Sequence, residues 1–309
     1  MISRFPDFTP LNLELQAELK AYLKANPPLG SEYTFTNLFG WQRSADYQAA
    51  RFGDGFLLRR SHRSGRETLL EPLVTRGGLE ALEAGFDYLA GRGRMAEAER
   101  VTESFLERFP AVAEKFRVVE DRDNHDYLYL VRELIDLAGE KFHDKQNLYR
   151  QFVRKYRFSY RPMTGADIQA GLDFVDHWCR KRECDKYEGL NQEKRAVRRM
   201  LKNFETLGLR GGLLEIEGNP VALTLGEPLN PETYVIHVEK ADSAYTGVYQ
   251  AINREFLKEA AAGFRFVNRE QDMGLLGLRQ AKLSYNPVRL VRKYRLFPAG
   301  AQAGQLGGS

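Results

Sequence analysis

Apolar positions recur at two periods along the chain. Leu11, Leu15, Leu19 and Tyr22 fall at helical spacing and stop at PPLG. Short strand candidates follow at Gln48–Phe52, Phe56–Ser61 and Thr68–Leu73, separated by Gly-Asp-Gly and by a Ser-Gly turn. A helix is expected near 77–91 and two amphipathic pieces over 96–116. RVVEDRDNHDYLYLV reads as strand, polar loop, strand, and 144–156 as helix. From 157 the pattern sharpens. FSYRPM is a strand candidate and Thr164 a helix cap. Ile168, Leu172, Val175 and Trp178 line one helix face; Val197, Met200, Leu201 and Phe204 line another. Strands are expected at Gly212–Glu217, Pro220–Leu225 and Thr233–Glu239, the first two joined by EGNP. Tyr249, Ile252, Phe256 and Ala260 mark a third helix. Strands at 264–269 and 288–297 close the chain.

The second half thus reads strand, two helices, three strands, helix, strand, polar loop, strand. This is the order of the N-acyltransferase (GNAT) fold, and the first half is a blurred version of a similar order. The expected class is α/β (α+β): tandem GNAT-like domains, each a mixed, largely antiparallel sheet flanked by helices. The expected divisions are 1–156, 157–298 and a disordered tail over 299–309. The 309 residues suit two domains of roughly 150 residues each.

Composition adds bounds. Hydrophobic residues make up 43% and charged residues 28%, which is ordinary for a globular chain. The formal charge of +4 permits a nucleic-acid or membrane-surface partner without requiring one. Its distribution is uneven: Arg279, Lys282, Arg289, Arg292, Lys293 and Arg295 occur within 275–297 with no acid among them. Cys179 and Cys184 lie five apart in a segment read as helix, so they are expected on different faces, unbridged. With no signal core and no run of about 18 apolar residues, this points to the cytoplasm.

Chemistry concentrates near two strand ends. In HVEKAD at 237–242, alternation puts Val235, His237 and Glu239 on one face and Ile236, Val238 and Lys240 on the other. In the next strand Asn268 and Glu270 share a face opposite Arg269. If the two strands run parallel around helix 246–262, both finish at one sheet edge, where open α/β sheets bind ligands. Glu239 would then converge with Asn268–Asp272. Glu270 or Asp272 suits a proton acceptor for an attacking amine, and Arg269 suits a carboxylate or phosphate. The same three residues also suit a structural ion-pair network, and His237 a satisfied core histidine. Arg279, Lys282 and Tyr285, three apart, stack on one side of a helical turn. Two cations and a phenol suit an anion or oxyanion, and equally a basic face with a core tyrosine. Asn253 lies beside the apolar stripe that holds Tyr249. DRDNHD at 121–126 reads as a polar turn rather than a metal site, and no metal is expected. G-x-S-x-G, P-loop and H-E-x-x-H patterns are missing from the sequence.

Four stretches carry a family likeness: YTFTNLFGW at 33–41, HDYLYL through ELIDLAGEKFHDKQN at 125–147, HVEKAD, and NREQDMGLLGLRQAKLSYNP at 268–287. They resemble the C-terminal domain family of phosphatidylglycerol lysyltransferases, including its soluble stand-alone members. Gln146 stands where the family pattern has an arginine, and the sequence has no counterpart of the membrane-embedded portion of the lipid enzymes. The resemblance implies tandem acyltransferase domains and transfer of an acyl or aminoacyl group to an amine or hydroxyl of a small or peptidic acceptor. It implies aminoacyl-tRNA as donor, with acyl-CoA as the alternative. Ordinary acetyltransferases cradle the coenzyme pyrophosphate with Q/R-x-x-G-x-G/A, whereas DSAYTGVY offers one glycine. Catalytic roles are expected for Glu239, Glu270, Asp272 and Tyr285, the last as acid to the leaving group. Substrate contacts are expected from His237, Lys240, Asn253, Asn268, Arg269, Arg279 and Lys282. A non-catalytic ligand-binding module is the other alternative, and peripheral membrane contact stays open.

Overall fold

The computed structural model describes residues 1–62 and 64–300. The tail expected over 299–309 lies outside the described residues from 301 onward. The chain forms two compact units, Met1–His125 with the segment from Val291, and Asp126–Leu290.

The first unit holds β1 (Thr9–Pro10), β2 (Tyr47–Phe52), β3 (Gly55–Ser61), β4 (Glu67–Leu69), β5 (Ala98–Thr102) and β6 (Phe116–Glu120). The second holds β7 (Asp126–Leu130), β8 (Phe158–Pro162), β9 (Arg210–Ile216), β10 (Asn219–Pro228), β11 (Thr233–Ala241), β12 (Phe266–Asn268) and β13 (Arg289–Val291). The last strand, β14 (Lys293–Pro298), returns to the first sheet. The sheet orders are β1-β2-β3-β4-β5-β14-β6 and β13-β7-β12-β11-β10-β9-β8.

Both sheets contain the same internal pattern. In the first, β2, β3 and β4 are antiparallel neighbours, and β4 runs parallel to β5 after helix α1 (Gly78–Gly91). In the second, β9, β10 and β11 are antiparallel, and β11 runs parallel to β12. Each parallel pair is completed by an antiparallel strand from a distant part of the chain: β14 on β5, and β7 on β12. This exchange is why the division near 157 expected from sequence does not match the compact units. Residues 126–156 belong with the second sheet, and the expected strand over 288–297 splits between two sheets.

Helices in the second unit follow the apolar periodicity. The longer ones are α2 (His143–Lys155), α3 (Ile168–Lys181), α4 (Glu188–Lys202) and α5 (Val248–Phe256), the last continuing as a π turn over Leu257–Ala261. A capping box on Thr164 and Asp167 leads into α3. Tyr127, Tyr129, Tyr234, Ile236, Phe256, Leu257 and Val267 form the core under α5.

Two local expectations are corrected. Residues 98–102, read only as part of an amphipathic stretch over 96–116, form a strand. Their pattern is obscured because Glu97 and Glu99 are buried yet paired, Glu97 with Arg295 at 2.7 Å and Glu99 with Arg60 at 2.8 Å. Cys179 and Cys184 are disulfide-bonded. Helix α3 ends at Lys181, Glu183 turns left-handed at φ 51°, and the reversal brings the two Cα atoms to 5.1 Å. The cysteines therefore lend no support to a reducing compartment. Among the described residues no helix is long and apolar enough to cross a membrane.

The first unit closes the gap beyond its parallel pair. The Tyr33 hydroxyl accepts from the Glu71 amide and donates to the Arg100 carbonyl, each at 3.0 Å. The Glu71 carboxylate accepts from the Thr102 amide at 2.7 Å and its hydroxyl at 2.6 Å. Burial nevertheless pushes Glu71 up from its ordinary 4.5 to about 7. The folded protein therefore holds this proton where the unfolded chain has lost it. Stability from Glu71 is full below about 4.5 and falls as pH rises to about 7. Comparing urea unfolding of wild type with Glu71→Gln from pH 4 to 8 should show a difference growing by about 3 kcal/mol over that window, then levelling.

Candidate active site

The parallel pair β11/β12 is short. Thr233, Tyr234 and Val235 face Phe266, Val267 and Asn268, and pairing stops there. β11 continues along β10 to Ala241, whereas residues 269 and 270 turn onto β7. The Arg269 amide donates to the Tyr127 carbonyl at 3.0 Å, and the Tyr127 amide to the Glu270 carbonyl at 3.2 Å. The strands part, and a polar wedge opens at their carboxyl ends, where the sequence placed the site.

A β-bulge shapes one wall. Leu225 pairs with Val238 but Gly226 pairs with Ile236, so His237 is the extra residue. Gly226 suits this crowding, since a Cβ there would lie 2.4 Å from the Val235 carbonyl oxygen. The bulge breaks the alternation expected from sequence. Ile236 packs under α5, and Glu239 also reaches α5 instead of sharing a face with Val235. Lys240 points the other way, onto the Trp178 ring at 4.2 Å and to Glu193 at 2.6 Å, away from the wedge.

Arg269 spans the wedge. Its Nη2 donates to Glu239 at 2.6 Å, and the second Glu239 oxygen accepts from Asn253 Nδ2 at 2.7 Å. The guanidinium lies 4.8 Å from the Tyr285 ring centre and 5.7 Å from that of Tyr129. Its Nη1 is buried with no hydrogen-bond partner among the described residues. Tyr285 is buried, and its hydroxyl accepts from Gln250 Nε2 at 2.9 Å. Burial holds the phenol up at about 12, against the pull of Arg269.

His237 sits between two carboxylates, with Nδ1 2.8 Å from Glu270 and Nε2 3.1 Å from Glu227. Burial favours the neutral ring, but hydrogen bonds to Glu227 and Glu270 outweigh it and raise the imidazole to about 9. The ring is therefore a cation at neutral pH and anchors Glu270. Glu270 itself adopts φ 54°, left-handed for a residue with a Cβ. Its turn is held by the Asn268 side chain, whose Oδ1 accepts from the Glu270 backbone amide at 2.8 Å. The Asn268 Nδ2 donates to Asp126 at 2.9 Å, so both polar ends of this fully buried side chain are taken up within the fold.

Helix α6 (Leu276–Leu283) turns Arg279 and Lys282 inward, as their spacing predicts. Their partners differ from the expected ones. Arg279 and Asp272 form a closed bidentate pair at 2.9 and 2.8 Å, and Asp272 also accepts from the Tyr127 hydroxyl at 2.6 Å and the Gly274 amide at 2.9 Å. Burial opposes its charge, but these bonds prevail and lower Asp272 to about 2. Such a carboxylate is a poor proton acceptor, so the pair is a clasp on the loop. Lys282 donates to the carbonyls of Arg269 and Glu270, fixing the same turn. Burial, then Arg269, lower its ammonium to about 8.

Three participants were not named from sequence as site residues. Gln250 is one helical turn before Asn253, a three-residue spacing that could have marked it. Glu227 ends a long apolar strand. Lys145 lies over the Tyr285 ring at 4.6 Å. The DRDNHD segment forms a short 3-10 turn in which Asn124 donates to both Asp121 oxygens.

Two sheets of matching strand pattern, with a polar wedge where one parallel pair parts, define a tandem GNAT-like, acyltransferase-type module. The family model for the phosphatidylglycerol lysyltransferase C-terminal domain matches residues 25–297, and the chain belongs to that family. A conserved protein of unknown function from Bacteroides thetaiotaomicron is 33% identical, with a TM-score of 0.88, covering 96% of this chain and 100% of that one. The C-terminal domain described as that of a lysylphosphatidylglycerol synthetase from Agrobacterium fabrum is 12% identical, with a TM-score of 0.67, covering 96% and 95%. A tandem GNAT protein from the clavulanic acid biosynthesis pathway is 11% identical, with a TM-score of 0.50, covering 96% and 99%. An uncharacterised Mycoplasmoides gallisepticum protein is 20% identical over 171 residues, 55% of this chain. That match spans 54% of the curated relative, about half its length.

Proposed function

We propose that the wedge in the second unit transfers an acyl or aminoacyl group from an activated ester to an amine or hydroxyl. The observation that carries this reading is the Tyr285 hydroxyl. It accepts from Gln250, and its own proton has no acceptor among the described residues. A buried phenol held protonated to about 12 suits a proton donor to a departing oxygen. The acceptor nitrogen attacks the donor carbonyl carbon, forming the C–N bond, and the ester C–O bond breaks. Tyr285 gives its proton to the leaving oxygen. The nitrogen's proton passes to the Glu270 carboxylate, which His237 holds in place, and solvent restores both groups. Arg269 Nη1 serves the developing oxyanion. Asp272, Arg279 and Lys282 hold the loop, and Lys240 takes no part.

An aminoacyl cargo is supported by the family description, a lysyltransferase. Aminoacyl-tRNA is favoured over acyl-CoA by the start of α5, where α2 packs closely. A Cβ on Gly247 would lie 2.2 Å from the Leu148 carbonyl oxygen. That helix start, the position of the coenzyme pyrophosphate in an acetyltransferase, is crowded here. Incubation with charged tRNA pools and with acyl-CoA panels, plus amine acceptors, separates the donors. Amine-dependent loss of the ester is expected. Saturable binding with no turnover of either donor would favour the non-catalytic alternative.

A further inference from the structure

Lys145 stands on the first turn of α2, half-buried. Its ammonium lies 4.6 Å from the centre of the Tyr285 ring. Other partly buried lysines in this unit have a bonded partner: Lys240 has Glu193 at 2.6 Å, Lys194 has Asp176 at 3.6 Å, and Lys282 has the Arg269 and Glu270 carbonyls. Among the described residues Lys145 makes neither a hydrogen bond nor an ion pair. Asp144, its neighbour in sequence, is exposed. The other strong charge acting on it is the Arg269 guanidinium, 4.8 Å from the same ring. Arg269 is already neutralised by Glu239, which leaves Lys145 as surplus positive charge at the mouth of the wedge. Burial pushes its ammonium down, Asp144 only partly offsets this, and Arg269 pushes it down further, so the site carries an electrostatic cost that a bound anion would relieve.

We propose that Lys145 anchors a phosphate group of the donor beside Tyr285, fixing the activated carbonyl within reach of the phenol. This rests on the transferase reading for the role of the phosphate, not for its binding. The chemistry is that of a compact ammonium acting as a point charge, with Tyr285 and Arg269 on its inner side. Both donor classes weighed above carry phosphate, so probes must distinguish a nucleotide from the coenzyme.

The experiment is titration calorimetry of the full chain with adenosine 5′-monophosphate and, separately, coenzyme A. Wild type, Lys145→Gln, Lys145→Arg and the exposed control Arg150→Gln are compared, each checked for unchanged thermal unfolding. The expected result is phosphate-dependent, salt-sensitive binding that weakens about tenfold in Lys145→Gln, is retained in Lys145→Arg and is unchanged in Arg150→Gln. Stronger binding of the nucleotide than of the coenzyme identifies a nucleic-acid donor, and the reverse order identifies acyl-CoA. Equal affinity of wild type and Lys145→Gln, or no binding of either probe, overturns the proposal. Binding that depends on Lys145 without transfer from any donor upholds it while removing the transferase reading. Transfer with an unchanged KM in Lys145→Gln overturns it and leaves that reading standing.

Discussion

Arg269→Met should destabilise the protein by about 3–5 kcal/mol and abolish transfer. The side chain makes the bond across the wedge, and its loss leaves the largely buried Glu239 carboxylate, 10% exposed, with Asn253 as its remaining partner. An uncompensated buried carboxylate costs far more than an exposed ion pair contributes. The loss is a large share of a typical stability of about 5–15 kcal/mol. Methionine fills part of the space between Tyr129 and Tyr285, so the effect reports charge more than cavity. Adding Glu239→Leu should recover most of the stability in urea unfolding and none of the transfer. A double variant as unstable as the single one would show that packing, not charge, is at stake.

Tyr285→Phe should lower turnover by about 10²–10⁴-fold, the range for a positioned general acid. Stability should change by only about 0.5–1.5 kcal/mol, because one hydrogen bond is lost and Gln250 is partly exposed to water. The split matters. A tyrosine that merely packs in the core would keep its rate when the hydroxyl is removed, because the ring stays. Since burial holds the phenol protonated to about 12, its ionisation should leave the rate unchanged across neutral and mildly alkaline pH. Single-turnover consumption of donor ester, with unfolding curves for both proteins, checks the prediction.

The sequence was most legible where one period dominates. The apolar stripe of Tyr249, Ile252 and Phe256, flanked by two apolar strands, announced a parallel crossover, and with it the convergence of Glu239 on Arg269. It was least legible where a single residue changes the geometry. The extra residue at His237 inverts the facing of Glu239, and nothing in HVEKAD signals it, because a bulge is set by the partner strand. Charge was ambiguous for a similar reason. Asp272 reads as a catalytic group and Arg279 as a substrate contact in sequence, yet the turn into α6 folds them onto each other. Ala98–Thr102 was hidden because its flanking and internal glutamates are buried against arginines distant in sequence. The cysteine pair was misread because the helix was expected to run on, and Glu183 reverses it. Lys145 belongs to a stretch with an exposed, basic pattern, and only the tertiary fold brings it over Tyr285.

A crystal structure of the protein with 3′-aminoacylamino-3′-deoxyadenosine, which has an amide in place of the labile ester, reads the position of the reacting carbonyl directly. That carbonyl is expected in the wedge between β11 and β12, with the 3′ nitrogen that replaces the leaving oxygen about 3 Å from the Tyr285 hydroxyl and the aminoacyl carbonyl oxygen facing Arg269. Binding in the first unit, or on the face of β11 that carries Lys240, would contradict the assignment of the site.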